Sequence, residues 1–262
     1  MCYAELVKER APLIHNITNQ VVMNFTANGL YALGASPLMA HEQEEMTDII
    51  NIADALVLNI GTITEPVFQA MQVAGKKATE KGIPIVLDPV GVGASDYRMG
   101  AVIHLLETLK VSLIRGNAAE IMTLVSRKQA GKGVDGDIET DVVAVARAFY
   151  QRYHIPVVVT GKTDIIYNGQ MLYQLKNGSP ALKQVTGTGC LLTSVIAAFL
   201  AVADDEHYIE AATEAVSFYT VASEVAAEKT KLPGSFQVQF IDELAALTVS
   251  EWEKRAMIEV MG

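Results

Sequence analysis

Short runs of apolar, largely β-branched residues alternate along this chain with longer stretches in which apolar positions return every three or four residues. The short runs, at 36–40, 55–60, 83–88, 112–116 and 156–161, are nearly continuous in apolar character, as in strands buried on both faces of a parallel sheet. The longer stretches predict helices. Val22, Phe25, Thr26, Gly29, Leu30 and Leu33 mark the first, and others follow at 47–53, 65–81, 99–109, 118–125 and 141–153. Strand and helix in alternation give βα units with right-handed crossovers, and hence helices on both faces of a sheet. After Gly161 the texture changes. Ile165-Ile166-Tyr167 and Met171-Leu172-Tyr173 are separated by a turn that starts Asn168-Gly169, which predicts a hairpin and an antiparallel edge. Three more helices, at 191–203, 207–229 and 241–257, close the fold, with Leu232-Pro233-Gly234-Ser235-Phe236 as the turn before the last. No linker is long enough to divide two domains. Residues 1–262 are therefore expected to form one layered αβα domain, mostly parallel in its central sheet, with an antiparallel edge hairpin.

Composition narrows the class. Half the residues are hydrophobic, 19% are charged and no polar low-complexity tract is present, which excludes an intrinsically disordered chain. The net charge of −10 and the lack of a basic run argue against a nucleic-acid partner. No run approaches the ~20 apolar residues of a membrane span, so no membrane partner is expected. Glu5, Lys8, Glu9 and Arg10 leave no apolar signal core at the N-terminus. Two cysteines, Cys2 and Cys190, cannot build a disulfide framework, and a thiol inside a glycine turn suits a reducing compartment, so a cytoplasmic protein is expected.

The candidate chemistry centres on Val185-Thr186-Gly187-Thr188-Gly189-Cys190, which leads straight into the apolar helical run from Leu191 to Val202. Glycines ahead of a helix let the backbone approach a ligand, and the first N–H groups of the helix then face it unsatisfied. With the helix dipole, such a turn stabilises a phosphate or a developing oxyanion, and Cys190 sits in the first turn beside it. The bland alternative is a tight loop holding a small buried thiol. Ligands of open parallel sheets bind beyond the carboxyl ends of the strands, and there this chain is polar. The third run ends in Asp88-Pro89-Val90-Gly91, the fourth in Arg115-Gly116-Asn117 followed by Ala118-Ala119-Glu120, and the fifth in Thr160-Gly161. Asp88 and Glu120 would form a hard oxygen pair suited to Mg²⁺, although either can be a solvated charge or a cap. Asn117 reads most simply as an N-cap that forms a capping-box pair with Glu120. Arg115 is either a salt-bridge partner or a planar fork for phosphate oxygens, and the bland alternative for Thr160 is that it only ends its strand.

In these residues the chain resembles a known family. Asn117-Ala118-Ala119-Glu120 is similar to the Asn-x-x-Glu magnesium motif of ribokinase-like kinases, and Gly187-Thr188-Gly189-Cys190 is similar to their Gly-x-Gly-Asp anion hole with Cys in the place of Asp. His15-Asn16-Ile17-Thr18-Asn19, Pro37-Leu38-Met39, Asp88-Pro89-Val90-Gly91 and Pro233-Gly234-Ser235-Phe236 extend the resemblance over nearly the whole chain, and it is to the hydroxyethylthiazole kinases of thiamine biosynthesis and salvage. The resemblance implies ATP- and Mg²⁺-dependent phosphorylation of the hydroxyl of 4-methyl-5-(2-hydroxyethyl)thiazole. It places Arg115 and Thr160 on ATP, with Asn117 and Gly161 beside them. Met39, Gly187 and Asn19 fall on the thiazole, Asp88 and Glu120 on the metal and its waters, and Gly187, Thr188, Gly189 and Cys190 at the reaction centre. It also implies a homotrimer with active sites near subunit boundaries.

Phosphoryl transfer through a loose transition state needs little proton removal from the attacking hydroxyl. Cys190, whose thiolate a helix N-terminus favours, is therefore either a weak base or a group that holds the alcohol, with positioning preferred. Other nucleotide signatures fail. No Gly-x-x-x-x-Gly-Lys-Ser/Thr occurs, Gly131-Lys132-Gly133 reads as a surface loop or lid, and Gly91-Val92-Gly93 lacks the third glycine of a dinucleotide fingerprint. His15 and His104 have no metal-ligand spacing. Two rivals stay open: a same-fold kinase of another small hydroxylated ring, such as a hydroxymethylpyrimidine or a sugar, and a non-catalytic nucleotide-binding sensor. Asp usually follows the second glycine in the former, so residue 190 separates it from the thiazole reading.

Overall fold

Every strand among the described residues lies in one mixed sheet, and the carboxyl ends of its parallel strands carry the polar residues singled out above. The computed structural model describes residues 2–127 and 141–261, so the segment with Gly131-Lys132-Gly133, expected as a loop or lid, lies outside the described residues. The chain runs α1 (Tyr3–Arg10), β1 (Leu13–Ile17), α2 (Met23–Leu33), β2 (Ser36–Leu38), α3 (Met46–Ile52), β3 (Ala55–Asn59), α4 (Glu65–Lys81), β4 (Ile85–Asp88) and α5 (Asp96–Thr108). It continues with β5 (Leu113–Asn117), α6 (Ala118–Ser126), α7 (Val142–Tyr153), β6 (Val157–Thr160), β7 (Asp164–Tyr167) and β8 (Leu172–Leu175). It ends with α8 (Thr188–Leu200), α9 (Tyr208–Lys229), α10 (Pro233–Ala246), α11 (Val249–Arg255) and β9 (Ile258–Met261). The nine strands among the described residues stand in the order β2-β1-β3-β4-β5-β6-β7-β8-β9. Pairing is parallel from β2 through β6 and antiparallel from β6 to β9.

Successive strand side chains point to opposite faces, so each strand feeds two cores. Val57, Val86, Leu113 and Val158 pack with α2, α8, α9 and α10, whereas Leu56, Leu58, Ile85, Leu87, Ile114, Val157 and Val159 pack with the side chains of α3 to α7. Apolar residues on both faces explain why these strands read as continuous runs. Helix α8 is apolar from Leu191 to Leu200 except for Thr193 and Ser194 and is buried on every side there, as a helix so rich in apolar residues has to be. It lies between α2 and α9 and against β1, β3 and β4, which sets its N-terminus at the ends of those strands.

Three departures from the sequence reading have physical causes. Strand β1 was not foreseen because His15 and Asn16 interrupt its apolar run, yet both are fully buried. The expected turn at 232–236 is the start of α10: Pro233 takes the first helical position, where a missing N–H costs nothing, with Leu232 as cap. The expected helix over 241–257 is divided, because the Thr248 side chain accepts from Glu251 N and caps a new helix, α11, after which the chain adds β9 to the edge hairpin. Among the described residues no helix is long and apolar enough to cross a membrane.

Candidate active site

Gly187 caps α8 with φ +90° and ψ −6°, a left-handed conformation that other residues adopt at a cost, and no side chain caps this helix. A Cβ at Gly187 would stand 2.8 Å from Val22 Cγ1. The turn is anchored from behind: Thr188 Oγ1 donates to the Leu182 carbonyl at 2.8 Å, and the buried Tyr219 hydroxyl donates to the Thr188 carbonyl at 2.6 Å. Its first N–H groups therefore have neither an intrahelical partner nor a capping side chain, which is the arrangement an anion takes.

The Arg115 guanidinium lies on this turn, where a Cβ on Gly189 would be 2.7 Å from its Nη1. Arg115 Nη2 donates to Thr160 Oγ1 at 2.7 Å, and Nη1 stands 4.0 Å from Asp88 Oδ2. Thr160 thus does more than end β6; it fixes the fork, and in turn donates to the Gly116 carbonyl at 3.3 Å. Asp88 is fully buried at the tip of β4. Burial pushes its carboxyl up to about 6, against the opposing pull of Arg115. Asn59 Nδ2 and Thr193 Oγ1 both donate to Oδ2, at 2.9 and 2.8 Å, leaving Oδ1 without a hydrogen-bond partner.

Cys190 joins the same cluster. Asn19 Nδ2 donates to its Sγ at 3.4 Å and to Asn59 Oδ1 at 3.0 Å. Burial, then the Asp88 charge, push the Cys190 thiol up to about 11. This runs against the expectation that the helix N-terminus favours a thiolate here, because desolvation raises the thiol instead of lowering it.

Glu120 and Asn117 form the expected capping box at the start of α6. Asn117 Oδ1 accepts from Glu120 N, Glu120 Oε2 accepts from Asn117 N, each at 2.9 Å, and Oε1 accepts from Gly91 N at 3.0 Å. Both Glu120 oxygens thus hold backbone, and the Asp88 loop is tied to α6 through Gly91. Among the described residues no group of three or more His, Cys, Asp or Glu is arranged to hold a metal ion. A cleft of about 590 Å³ is lined by Arg115, Asn117, Thr160, Gly161, Thr188 and Gly189. A second cavity of about 430 Å³ has Thr18, Met23, His41 and Asn59 in its wall. Met39 follows β2, two strands out from β3, and the next residue, Ala40, is held through its carbonyl by Nε2 of the fully buried His15 at 3.1 Å. Burial lowers His15 to about 4, so it stays neutral.

The sequence reading missed Asn59, Thr193 and Arg98. Asn59 carries the same signal as Asp88, a polar residue at the tip of an apolar run, here the run at 55–60. Arg98 gave no signal: it reaches from α5 to donate to the carbonyls of Ile60, Val90 and Gly61 at 3.1, 2.7 and 2.6 Å, binding the β3 and β4 tips together.

An uncapped helix N-terminus with a guanidinium across it, beside a buried carboxylate at the tips of a parallel sheet, suits a kinase that acts on a small molecule. Residues 4–250 match the family model described as the hydroxyethylthiazole kinase family. The chain is similar to the hydroxyethylthiazole kinase structure from Pyrococcus horikoshii, with 37% identity, a TM-score of 0.90 and coverage of 99% of this chain and 98% of that one. It shares the fold of a Staphylococcus aureus pyridoxal kinase in complex with ADP, at 18% identity and TM-score 0.67 over 95% of this chain and 98% of that one. A ribokinase-like superfamily protein from Enterococcus faecalis, at 15% identity and TM-score 0.65 over 91% and 88%, has the fold as well. The chain belongs to the hydroxyethylthiazole kinase family and is a kinase of the thiazole alcohol.

Proposed function

We propose that ATP lies in the cleft of about 590 Å³ with its γ-phosphoryl over the N-terminus of α8, and that the thiazole alcohol approaches from the side of Asn19, Met39 and Gly187. The observation that carries this reading is the Arg115 guanidinium held against Gly189 by Thr160, one residue from Cys190. Arg115 and the helix N–H groups stabilise the charge spread over the phosphoryl oxygens, which is where such catalysis is needed. The alcohol oxygen forms a bond to the γ-phosphorus as the bond to the β–γ bridging oxygen breaks, and ADP leaves with that electron pair. Cys190 and Asn19 orient the hydroxyl, and its proton leaves late, with the product phosphate able to accept it.

Mg²⁺ fits the residues present: Asp88 Oδ1 is a buried hard oxygen with no other partner, and Glu120, its oxygens already on Gly91 N and Asn117 N, would reach a metal through water. When bound, the ion would neutralise phosphate charge. Glu120→Gln keeps one acceptor oxygen, so it is expected to raise the Mg²⁺ concentration for half-maximal rate while thermal stability falls modestly. An unchanged metal titration with lowered stability would leave Glu120 a purely structural cap.

We also assign the protein to the cytoplasm as a homotrimer with active sites near subunit boundaries. Support for the assembly comes from Val21, in the turn before α2 and beside the Val22 that packs on Gly187, which is 68% exposed, from Tyr31 on α2, which is 66% exposed, and from Val238 at 63% on α10, which packs on α2.

The deciding experiment follows phosphorylated product and ADP over a panel of thiazole, pyrimidine and sugar alcohols, using wild type, Cys190→Ala and Cys190→Asp. Cys190→Ala is expected to lower turnover by about tenfold to 10²-fold, as misplaced reactants do. Cys190→Asp retains or improves turnover, because a carboxylate both holds the hydroxyl and takes its proton. A folded Cys190→Asp with intact substrate affinity and no turnover would remove the assigned role, and ADP release indifferent to the thiazole alcohol would remove the substrate.

A further inference from the structure

Asn59 and Gly61, at the tip of β3, have no role in the reaction as described so far. Asn59 is 2% exposed, and its amide is oriented without ambiguity, because Oδ1 accepts from the backbone N–H of Gly61 at 2.9 Å and a backbone N–H can only donate. The rest follows in order. Asn59 Nδ2 has to face Asp88, where it donates to Oδ2 at 2.9 Å. Asn59 Oδ1 is then the acceptor for Asn19 Nδ2 at 3.0 Å, and the other proton of that amide is turned to Cys190 Sγ at 3.4 Å. Gly61 enters twice: a Cβ there would stand 2.9 Å from both Cβ and Nδ2 of Asn19, so only glycine leaves room for the Asn19 amide in this seat.

We propose that Asn59, oriented by Gly61, is a positioning residue that sets two reacting groups at once, Asn19 with Cys190 on the alcohol side and Asp88 on the phosphate side. Both protons of the Asn19 amide are engaged within the protein, so its Oδ1 is the atom left to accept the O–H of the substrate alcohol. On Asp88, Asn59 joins Thr193 on Oδ2 and leaves Oδ1 as the bare oxygen. The β3 tip thus selects which atom each group presents, which binding of either substrate alone would not require. The inference rests on the assignment of Asn19, Cys190 and Asp88 to the reaction.

Asn59→Leu keeps the branching and heavy-atom number of the side chain and deletes all three of its hydrogen bonds; Gly61→Ala keeps Asn59 and displaces Asn19. Each is expected to lower kcat at least tenfold with the KM for ATP changed less than threefold and a single cooperative thermal transition. Asn59→Leu is also measured in the Asn19→Ala background, where its effect on kcat is expected to shrink at least fivefold, as it must if Asn59 acts through Asn19. Three outcomes would overturn the inference: kcat retained within twofold in Asn59→Leu or Gly61→Ala, both KM values rising in step with kcat falling, or full additivity with Asn19→Ala. Asp88→Asn and Asn19→Ala, run alone, separate the two levels. If these retain wild-type kcat, the site assignment falls and the positioning role with it; if they lose turnover and Asn59→Leu does not, the positioning role alone falls.

Discussion

Arg115→Met is expected to raise the KM for ATP by about 10- to 150-fold while the KM for the thiazole alcohol moves less than threefold. The size follows from the bond type: a hydrogen bond to a charged group contributes about 1.5–3 kcal/mol, and each 1.4 kcal/mol is a factor of about ten. Geometry sets the selectivity. Arg115 lines the larger cleft with Thr160 and touches Gly189, whereas the proposed alcohol side is that of Asn19 and Cys190. The same change removes a cation near a fully buried carboxylate, and breaking a buried pair from one side costs about 3–5 kcal/mol when nothing else compensates. Here the ion pair is long, 4.0 Å, and Asn59 and Thr193 already donate to Asp88, so the stability loss should fall below that range. The sign on Asp88 is fixed: Arg115 opposes the upward push of burial, so without it the carboxyl goes higher still and is more readily neutral. Steady-state kinetics on both substrates with thermal melts check all of this. Equal losses for ATP and alcohol would remove Arg115 from the nucleotide.

How much of this was legible beforehand depended on whether a residue's surroundings were local. The parallel strands and α4 were legible because two-faced burial writes itself as apolar runs and one-faced burial as a helical period. The capping box of Asn117 and Glu120 was legible because its geometry is contained in four residues. Strand β1 was not, since its two polar residues depend in the interior on partners far along the chain: His15 Nε2 on the Ala40 carbonyl, and Asn16 Oδ1 accepting from Ser194 Oγ at 2.7 Å, from α8. The same holds for charge state. A thiol at a helix N-terminus looks activated in sequence, and only the packing around Cys190 and the nearness of Asp88 reverse the direction. Arg98 acts across 38 residues on Ile60 and Thr193 across 105 on Asp88, at strand tips that no local pattern brings together.

Two alanine substitutions two residues apart are expected to separate stability from catalysis at the anion site. At Gly187 the backbone is left-handed, which costs a non-glycine residue about 1–2 kcal/mol, and the new Cβ would press on Val22 Cγ1 and on Phe25 Cδ1, core atoms of α2 and the turn before it. Overpacking a core adds about 1–3 kcal/mol. Gly187→Ala should therefore lower Tm by roughly 5–15 °C, at about 2–4 °C per kcal/mol, and lose turnover as well. At Gly189 the backbone is already helical, where alanine is favoured over glycine by about 1 kcal/mol. The atoms nearest the added Cβ all belong to the Arg115 guanidinium, the far end of a flexible side chain, so the helix tolerates it and Tm should stay within a few degrees. The guanidinium, however, has to leave its seat between Thr160 and Asp88, and misplacing a positioned charge by about 1 Å can lower rate by about 10²-fold. The expected signature of Gly189→Ala is thus a near-normal melt with kcat/KM for ATP down about 10²-fold. A normal kcat/KM would show that Arg115 need not lie on the helix turn for phosphoryl transfer, and an unfolded Gly189→Ala would show that the contact is part of the core rather than of the site.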